Sequence, residues 1–258
     1  MPTWHMILLF TFILGAVVGS FANVLIYRLP RRESIVSPGS HCPGCGKPIR
    51  WFDNIPLISY LILRGRCRSC GEIIPWRYPA VEMVNGLLYL GLAMRFGAGT
   101  AALVLAPFVT ALLVITFIDM DHRIIPNVIS YPGMAAGLGL SFLAGFPRPL
   151  DSVIGLLVGG GFLYLVATGY YLITKREGMG MGDVKLLGMI GAYLGWQALP
   201  VTILLAAVTG SVIGLAAMKV QGEGRTYAVP FGPFLALGAL AHIFFGKELI
   251  LWYLGRII

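Results

Sequence analysis

Eight apolar stretches leave this chain of 258 residues few ways to fold. They run over about 6–27, 79–96, 101–118, 127–145, 152–174, 184–194, 199–219 and 231–254. A helix crosses a bilayer with roughly 20 apolar residues, and every stretch except 184–194 approaches that length. With 57% hydrophobic and only 12% charged residues, the chain reads as an all-α polytopic membrane protein with about eight transmembrane helices. The first stretch has no basic segment ahead of it and no small-residue cleavage site before the arginines that follow. It therefore reads as a retained helix and not as a removable signal peptide. The 34 glycines and 16 prolines suit broken, closely packed membrane helices. Three parts are expected: a first transmembrane helix over 1–27, a polar loop domain over 28–78, and a transmembrane core over 79–258.

Basic residues orient the helices. With eight spans, the loops at 28–78, around Asp119, at 175–185 and at 221–229 share one side. Counted with its flanks, that side carries 15 of the 19 Lys and Arg residues; only Arg95, Arg148, Lys247 and Arg256 fall on the other. Cytoplasmic loops carry the excess of Lys and Arg, so the large loop is expected in the cytoplasm and both termini outside. The net charge of +8 follows from this topology. Because the basic residues are spread over several loops, no nucleic-acid partner is expected; the surrounding partner is the lipid bilayer.

All four cysteines lie in the polar loop, as Cys42-Pro-Gly-Cys45 and Cys67-Arg-Ser-Cys70, with 21 residues between the pairs. This is the spacing of a tetrahedral Zn2+ site built from two knuckles. Gly44, Gly46 and Gly71 allow the chain to turn tightly around the thiolates. Two disulfides or four reduced thiols are the competing readings, and a cytoplasmic location disfavours the disulfides. Four thiolates close the coordination shell, so such a zinc shapes the loop and activates no water.

Two acids stand at the edges of apolar stretches. Asp119 closes the run that begins at Ala111, within Ile118-Asp119-Met120-Asp121-His122-Arg123-Ile124-Ile125-Pro126-Asn127. Asp183 follows glycines in Gly180-Met181-Gly182-Asp183-Val184-Lys185. Carboxylates beside hydrocarbon are expensive and mark function by default. Both fall at cytoplasmic helix ends, so their depth permits them to meet. A carboxylate pair sharing one proton supplies a base for water and an acid for a carbonyl oxygen. The alternative is a pair of interfacial acids, matched to Arg123 or Lys185 or capping helices. Asp121 reads equally well as a solvated loop acid. No Ser/His or Cys/His arrangement competes.

These motifs resemble the type IV prepilin peptidases, membrane aspartic proteases that also serve type II secretion. Gly180-Met181-Gly182-Asp183 is similar to the Gly-x-Gly-Asp motif of intramembrane aspartic proteases, and Asp119 through Pro126-Asn127 to the family's first aspartate motif. Further matches are Trp51-Phe52-Asp53-Asn54-Ile55-Pro56-Leu57-Ile58-Ser59-Tyr60, the two Cys pairs, Arg77-Tyr78-Pro79-Ala80-Val81-Glu82 and Phe231-Gly232-Pro233-Phe234. The resemblance covers nearly the whole chain. It implies Asp119 and Asp183 as the catalytic pair; Asp119 stands seven residues before Pro126, as the family's acid does, and Asp121 does not. It also implies a prepilin or pseudopilin substrate cut after a Gly on the cytoplasmic face of the bacterial inner membrane. N-methylation of the new amine with S-adenosylmethionine would follow. No Gly-x-Gly-x-x-Gly marks a donor site. Asp53, Asn54 and Glu82 are the candidates for donor binding, with turn chemistry and interfacial anchoring as their plainer readings.

Two functions of other classes fit the acids less well. A proton-coupled transporter would use intramembrane carboxylates, but the chain shows no inverted repeat and its acids lie at an edge, away from mid-bilayer. An assembly scaffold would use the zinc loop for docking and leave the acids incidental.

Overall fold

The computed structural model describes residues 2–144, 146–176, 178–221 and 229–254. Arg225 of the 221–229 loop and Arg256 lie outside the described residues. Helices α1 (Pro2–Arg28), α3 (Arg77–Phe96), α4 (Thr100–His122), α5 (Asn127–Ala144), α6 (Pro149–Thr174), α7 (Met181–Leu194), α8 (Ala198–Gln221) and α9 (Gly232–Leu254) occupy the eight apolar stretches. The polar loop adds a 3₁₀ turn over Trp51–Asn54 and the short α2 (Ile58–Ile62). No strand occurs among the described residues, which carry two isolated bridges, His41 with Pro48 and Arg66 with Ile73.

Among the described residues, four helices are long and apolar enough to cross a membrane: Trp4–Arg28, Thr100–His122, Pro149–Thr174 and Ala198–Met218. Their outward faces are apolar. Leu157, Leu165 and Leu172 of α6 and Leu204, Val208 and Leu215 of α8 are all exposed. Such long apolar surfaces are stable in hydrocarbon and not in water.

The chain divides into two compact units, Met1–Val114 and Ile115–Ile258. In the first, α1 packs against α3. Small residues set their spacing: a Cβ on Gly15 would lie 2.8 Å from the Asn85 carbonyl, and one on Gly19 would lie 2.8 Å from the Glu82 Cα. Fully buried Asn85 donates from Nδ2 to the Gly15 carbonyl at 2.7 Å and accepts from the Thr110 hydroxyl at 2.9 Å. Asn23 of α1 donates to the Tyr78 carbonyl of α3 at 3.1 Å.

The second unit is built around α7, which contacts α5, α6, α8 and α9. Every residue from Leu186 to Leu194 is buried. Fourteen residues rise only about 21 Å, short of the roughly 30 Å hydrocarbon core. Its partners are other helices on every side, so it need not satisfy lipid along its length. The crossing of α6 and α7 is set by Gly155 and Gly191, whose backbones touch so closely that a Cβ on either would overlap the other. Gly137 of α5 meets Ala192 and Tyr193 of α7 in the same way. Gly191→Val is expected to destabilise this unit by at least about 1–3 kcal/mol, the cost of overpacking a filled contact. A thermal melt in detergent micelles beside the parent protein checks it.

Candidate active site

Asp119 lies one turn before the end of α4, and Asp183 in the first turn of α7. Both belong to the second unit and both are nearly out of solvent, at 5% and 9% exposure. Asp183 lies close enough to feel the charge of Asp119. The Gly232 N–H, at the first residue of α9, donates to Asp119 Oδ2 at 3.0 Å. One carboxylate therefore stands inside a helix N-terminal turn and the other on the N-terminus of a second helix, where the helix dipole favours negative charge. The capping foreseen as an alternative role is thus present for Asp119, and it uses one oxygen of a buried pair.

Ile125 ties the two acids to a common wall. A Cβ on Gly182, beside Asp183, would lie 3.0 Å from the Ile125 Cβ. A Cβ on Gly232 would lie 2.6 Å from Asp119 Oδ2 and 3.3 Å from the Ile125 Cδ1. Gly182 and Gly232 are therefore needed for close approach. The two aspartate segments are also linked by their polar ends: Lys185 donates from Nζ to Asn127 Oδ1 at 2.8 Å and sits 5.3 Å from the Tyr131 ring centre. Asp121 is exposed. In this it differs from Asp119 and Asp183, both buried.

In the first unit the four cysteine sulfurs converge within 4.8 Å of one another, an arrangement that could hold a metal ion. The two Cys pairs are copies of one knuckle. Cys42 donates to the Lys47 carbonyl and Gly46 to the Cys42 carbonyl; Cys67 donates to that of Glu72 and Gly71 to that of Cys67. Ile49 donates to Ser40, and Ile74 to Gly65, closing each copy. Gly46 and Gly71 carry the same left-handed turn, with φ of 68° and 76°. N–H groups of Ser69 and Cys70 point at the Cys67 sulfur and draw its thiol down to about 7, toward the thiolate that a metal needs.

Beside the knuckles is a cavity of about 470 Å³, lined by residues that include Asn23, Cys42, Asp53, Asn54, Tyr60, Cys67, Arg68, Tyr78 and Glu82. Arg68 grips Asp53 through three hydrogen bonds of 2.6–3.0 Å, and this contact holds the Asp53 carboxyl below the usual carboxylate range. Glu82 is 9% exposed, and its Oε2 accepts the Leu57 N–H at 2.8 Å.

The family model described as the bacterial Peptidase A24 N-terminal domain matches residues 13–96, and that of the type IV leader peptidase family matches residues 106–215. A Pseudomonas putida protein named prepilin leader peptidase/N-methyltransferase is 39% identical over 92% of this chain and 90% of its own length. The chain belongs to the type IV leader peptidase family. Proteins of the same name from Aeromonas hydrophila and Burkholderia pseudomallei are 36% and 39% identical, covering 94% and 97% of this chain and 92% and 89% of theirs. No solved structure matches.

For a leader peptidase, the two acids foreseen in the sequence, Asp119 and Asp183, are the ones brought together in the second unit. Asp53, Asn54 and Glu82, named separately from the loop and α3, share one cavity wall in the first. Sequence reasoning missed the parts played by Gly232 and Ile125. The Phe231-Gly232-Pro233-Phe234 motif was the available signal, but a backbone donor leaves no trace in residue type. Gly232→Val is expected to slow leader cleavage by about 10²-fold by displacing Asp119, as an ångström of misplacement does in other active sites. A cleavage assay on membranes with matched amounts of enzyme checks it.

Proposed function

We propose that the chain is an aspartic endopeptidase of the bacterial inner membrane that removes the leader of type IV prepilins or pseudopilins. It supports pilus assembly or type II secretion. The buried pair Asp119 and Asp183 in the second unit carries this reading. The relatives named prepilin leader peptidase/N-methyltransferase supply the substrate class. In the proposed reaction the two carboxylates share one proton. The charged member takes a proton from a water as its oxygen bonds to the carbonyl carbon of the Gly before the cut. The other member protonates the carbonyl oxygen. Collapse of the tetrahedral species breaks the C–N bond, and the leaving nitrogen takes up a proton from the pair. No covalent enzyme intermediate forms.

The excess of basic residues in the loops supports a cytoplasmic face for this chemistry, with eight spans and both termini outside. Zn2+ is the proposed occupant of the four-cysteine cluster, because four convergent sulfurs on two identical knuckles suit its tetrahedral preference. Bound there, it would cross-link the loop, and Cys42, Cys45, Cys67 and Cys70 would hold it.

After cleavage, the proposed second reaction is methylation of the new N-terminal amine with S-adenosylmethionine, in keeping with the second half of the relatives' name. Membranes containing the enzyme are incubated with a prepilin, with and without S-adenosylmethionine, and the product is weighed by mass spectrometry. Leader loss in both samples and one added methyl group only with the donor is the expected result. An intact prepilin in both would end the peptidase reading, and an unmethylated product in both would end the second activity.

A further inference from the structure

We infer that α2, with the 3₁₀ turn ahead of it, docks on the membrane surface among the anionic lipid headgroups of the cytoplasmic leaflet. The inference goes beyond the two proposed reactions and rests on the proposed topology, in which α1 ends and α3 begins at that face. Ile58, Leu61 and Ile62 of α2 are 54–74% exposed. Their spacing of i, i+3 and i+4 puts them on one helix face. Ser59, by contrast, is buried, and its hydroxyl donates to the Phe52 carbonyl at 2.9 Å, fastening α2 to the 3₁₀ turn. Trp51 of that turn and Trp76, the residue before α3, are 80% and 76% exposed. An apolar surface of this kind marks a contact with a membrane or a partner.

Depth points to lipid as the occupant. Leu57, the residue before α2, donates its N–H to Glu82. Glu82 stands in the second turn of α3, about 8 Å along the axis from Arg77. The start of α2 is therefore pinned against the side of α3 and does not hang below its end. Ser20 of α1 hydrogen-bonds the same carboxylate, and Asn23 of α1 holds the Tyr78 carbonyl. These bonds keep α1, α3 and the start of α2 at one level, near the cytoplasmic ends of two proposed spans. There hydrocarbon gives way to headgroups, the depth at which tryptophan is enriched.

Charge points the same way. Arg64 and Arg66 follow α2 directly, and both are exposed. Neither forms an ion pair among the described residues, where the Asp53 carboxylate is taken by Arg68. An apolar face with arginines beside it suits a helix lying in the plane of the interface. Each basic residue near the anionic cytoplasmic leaflet strengthens such contact. A soluble partner could cover the same stripe, but it would not require α2 to be held beside α3. The membrane thus covers apolar surface that the loop, with its few buried side chains, leaves exposed.

The test uses the full-length protein carrying Leu61→benzoylphenylalanine, in vesicles of phosphatidylcholine alone or mixed with phosphatidylglycerol. Leu165→benzoylphenylalanine, on the exposed apolar face of α6, is the lipid-facing reference. After irradiation, mass spectrometry should find lipid adducts at both positions, with and without added prepilin. Arg64→Glu combined with Arg66→Glu should lower the phosphatidylglycerol adducts at position 61 by about twofold or more and leave those at 165 unchanged. Retained prepilin cleavage checks the folding of each variant. Lipid adducts at 165 with none at 61, or adducts at 61 only to prepilin or to protein, would overturn the inference. A yield at 61 indifferent to both phosphatidylglycerol and charge reversal would overturn it too. The topology is tested apart, in sealed native vesicles with the cytoplasmic face outward, where exposed Lys47 should react with an impermeant amine reagent. An unreactive Lys47 would remove the cytoplasmic placement, while the adducts at 61 still decide whether α2 meets lipid.

Discussion

Asp183→Asn is expected to lower leader cleavage by about 10³-fold or more, the scale on which a positioned acid or base contributes and on which members of a catalytic unit fail. Asparagine keeps the shape of the side chain in the first turn of α7, so the packing of Leu186 to Leu194 should survive. What is lost is the ability to hold or give a proton. Asp119→Asn should do the same by a different route, since an amide in place of Oδ2 would turn one of its N–H groups toward the Gly232 N–H or leave that donor with a poorer acceptor. Asp121→Asn is expected to keep most of the activity, because Asp121 is exposed whereas Asp119 and Asp183 are buried. Initial rates of prepilin cleavage in membranes, normalised to enzyme amount, separate the three.

Loss of metal should have the second large effect, on structure. Of residues 29–76 only Cys42, Ser59 and Gly65 are buried. A loop of this size with so few buried side chains cannot offset its ordering entropy by apolar burial. Structural zinc supplies apparent binding energies of about 10–16 kcal/mol in comparable small sites. Cys67→Ser, or treatment with a strong chelator, is therefore expected to release one equivalent of zinc and unfold the loop. Protease cutting within 29–76 should rise sharply while α5 to α9 stay protected. Elemental analysis and limited proteolysis read the two halves of this expectation, and a parent protein without zinc would remove it. The cavity beside the knuckles should be lost with the loop, since Cys42 and Cys67 form part of its wall.

The apolar stretches located the long helices because lipid-facing and core-facing segments are both continuous runs of hydrophobic residues. The same fact hid how they are used. Hydropathy alone does not tell α7, buried on all sides, from a short span, nor does it reveal that Gly155 and Gly191 touch. The catalytic candidates were legible because carboxylates at the end of an apolar run are costly and stand out. The hydrogen bond from the Leu57 N–H to Glu82 was not legible, because a position near a helix end says nothing about the turn at Leu57. Neither that turn nor the Gly232 N–H depends on side-chain chemistry, so neither could be read from residue types. The knuckle copy was half legible: the Cys spacing was plain, but the matching hydrogen bonds from Cys42 and Cys67 needed coordinates.

The central claim is that Asp119 and Asp183 act as one unit on one water. The most direct measurement is the cleavage rate of Asp119→Asn, Asp183→Asn and the double variant on the same prepilin. Groups that work as a unit fail together, so each single variant should fall as far as the double, with no further loss on combining them. A single variant that keeps the parent rate, or a double whose loss is the product of two modest single losses, would contradict the pair.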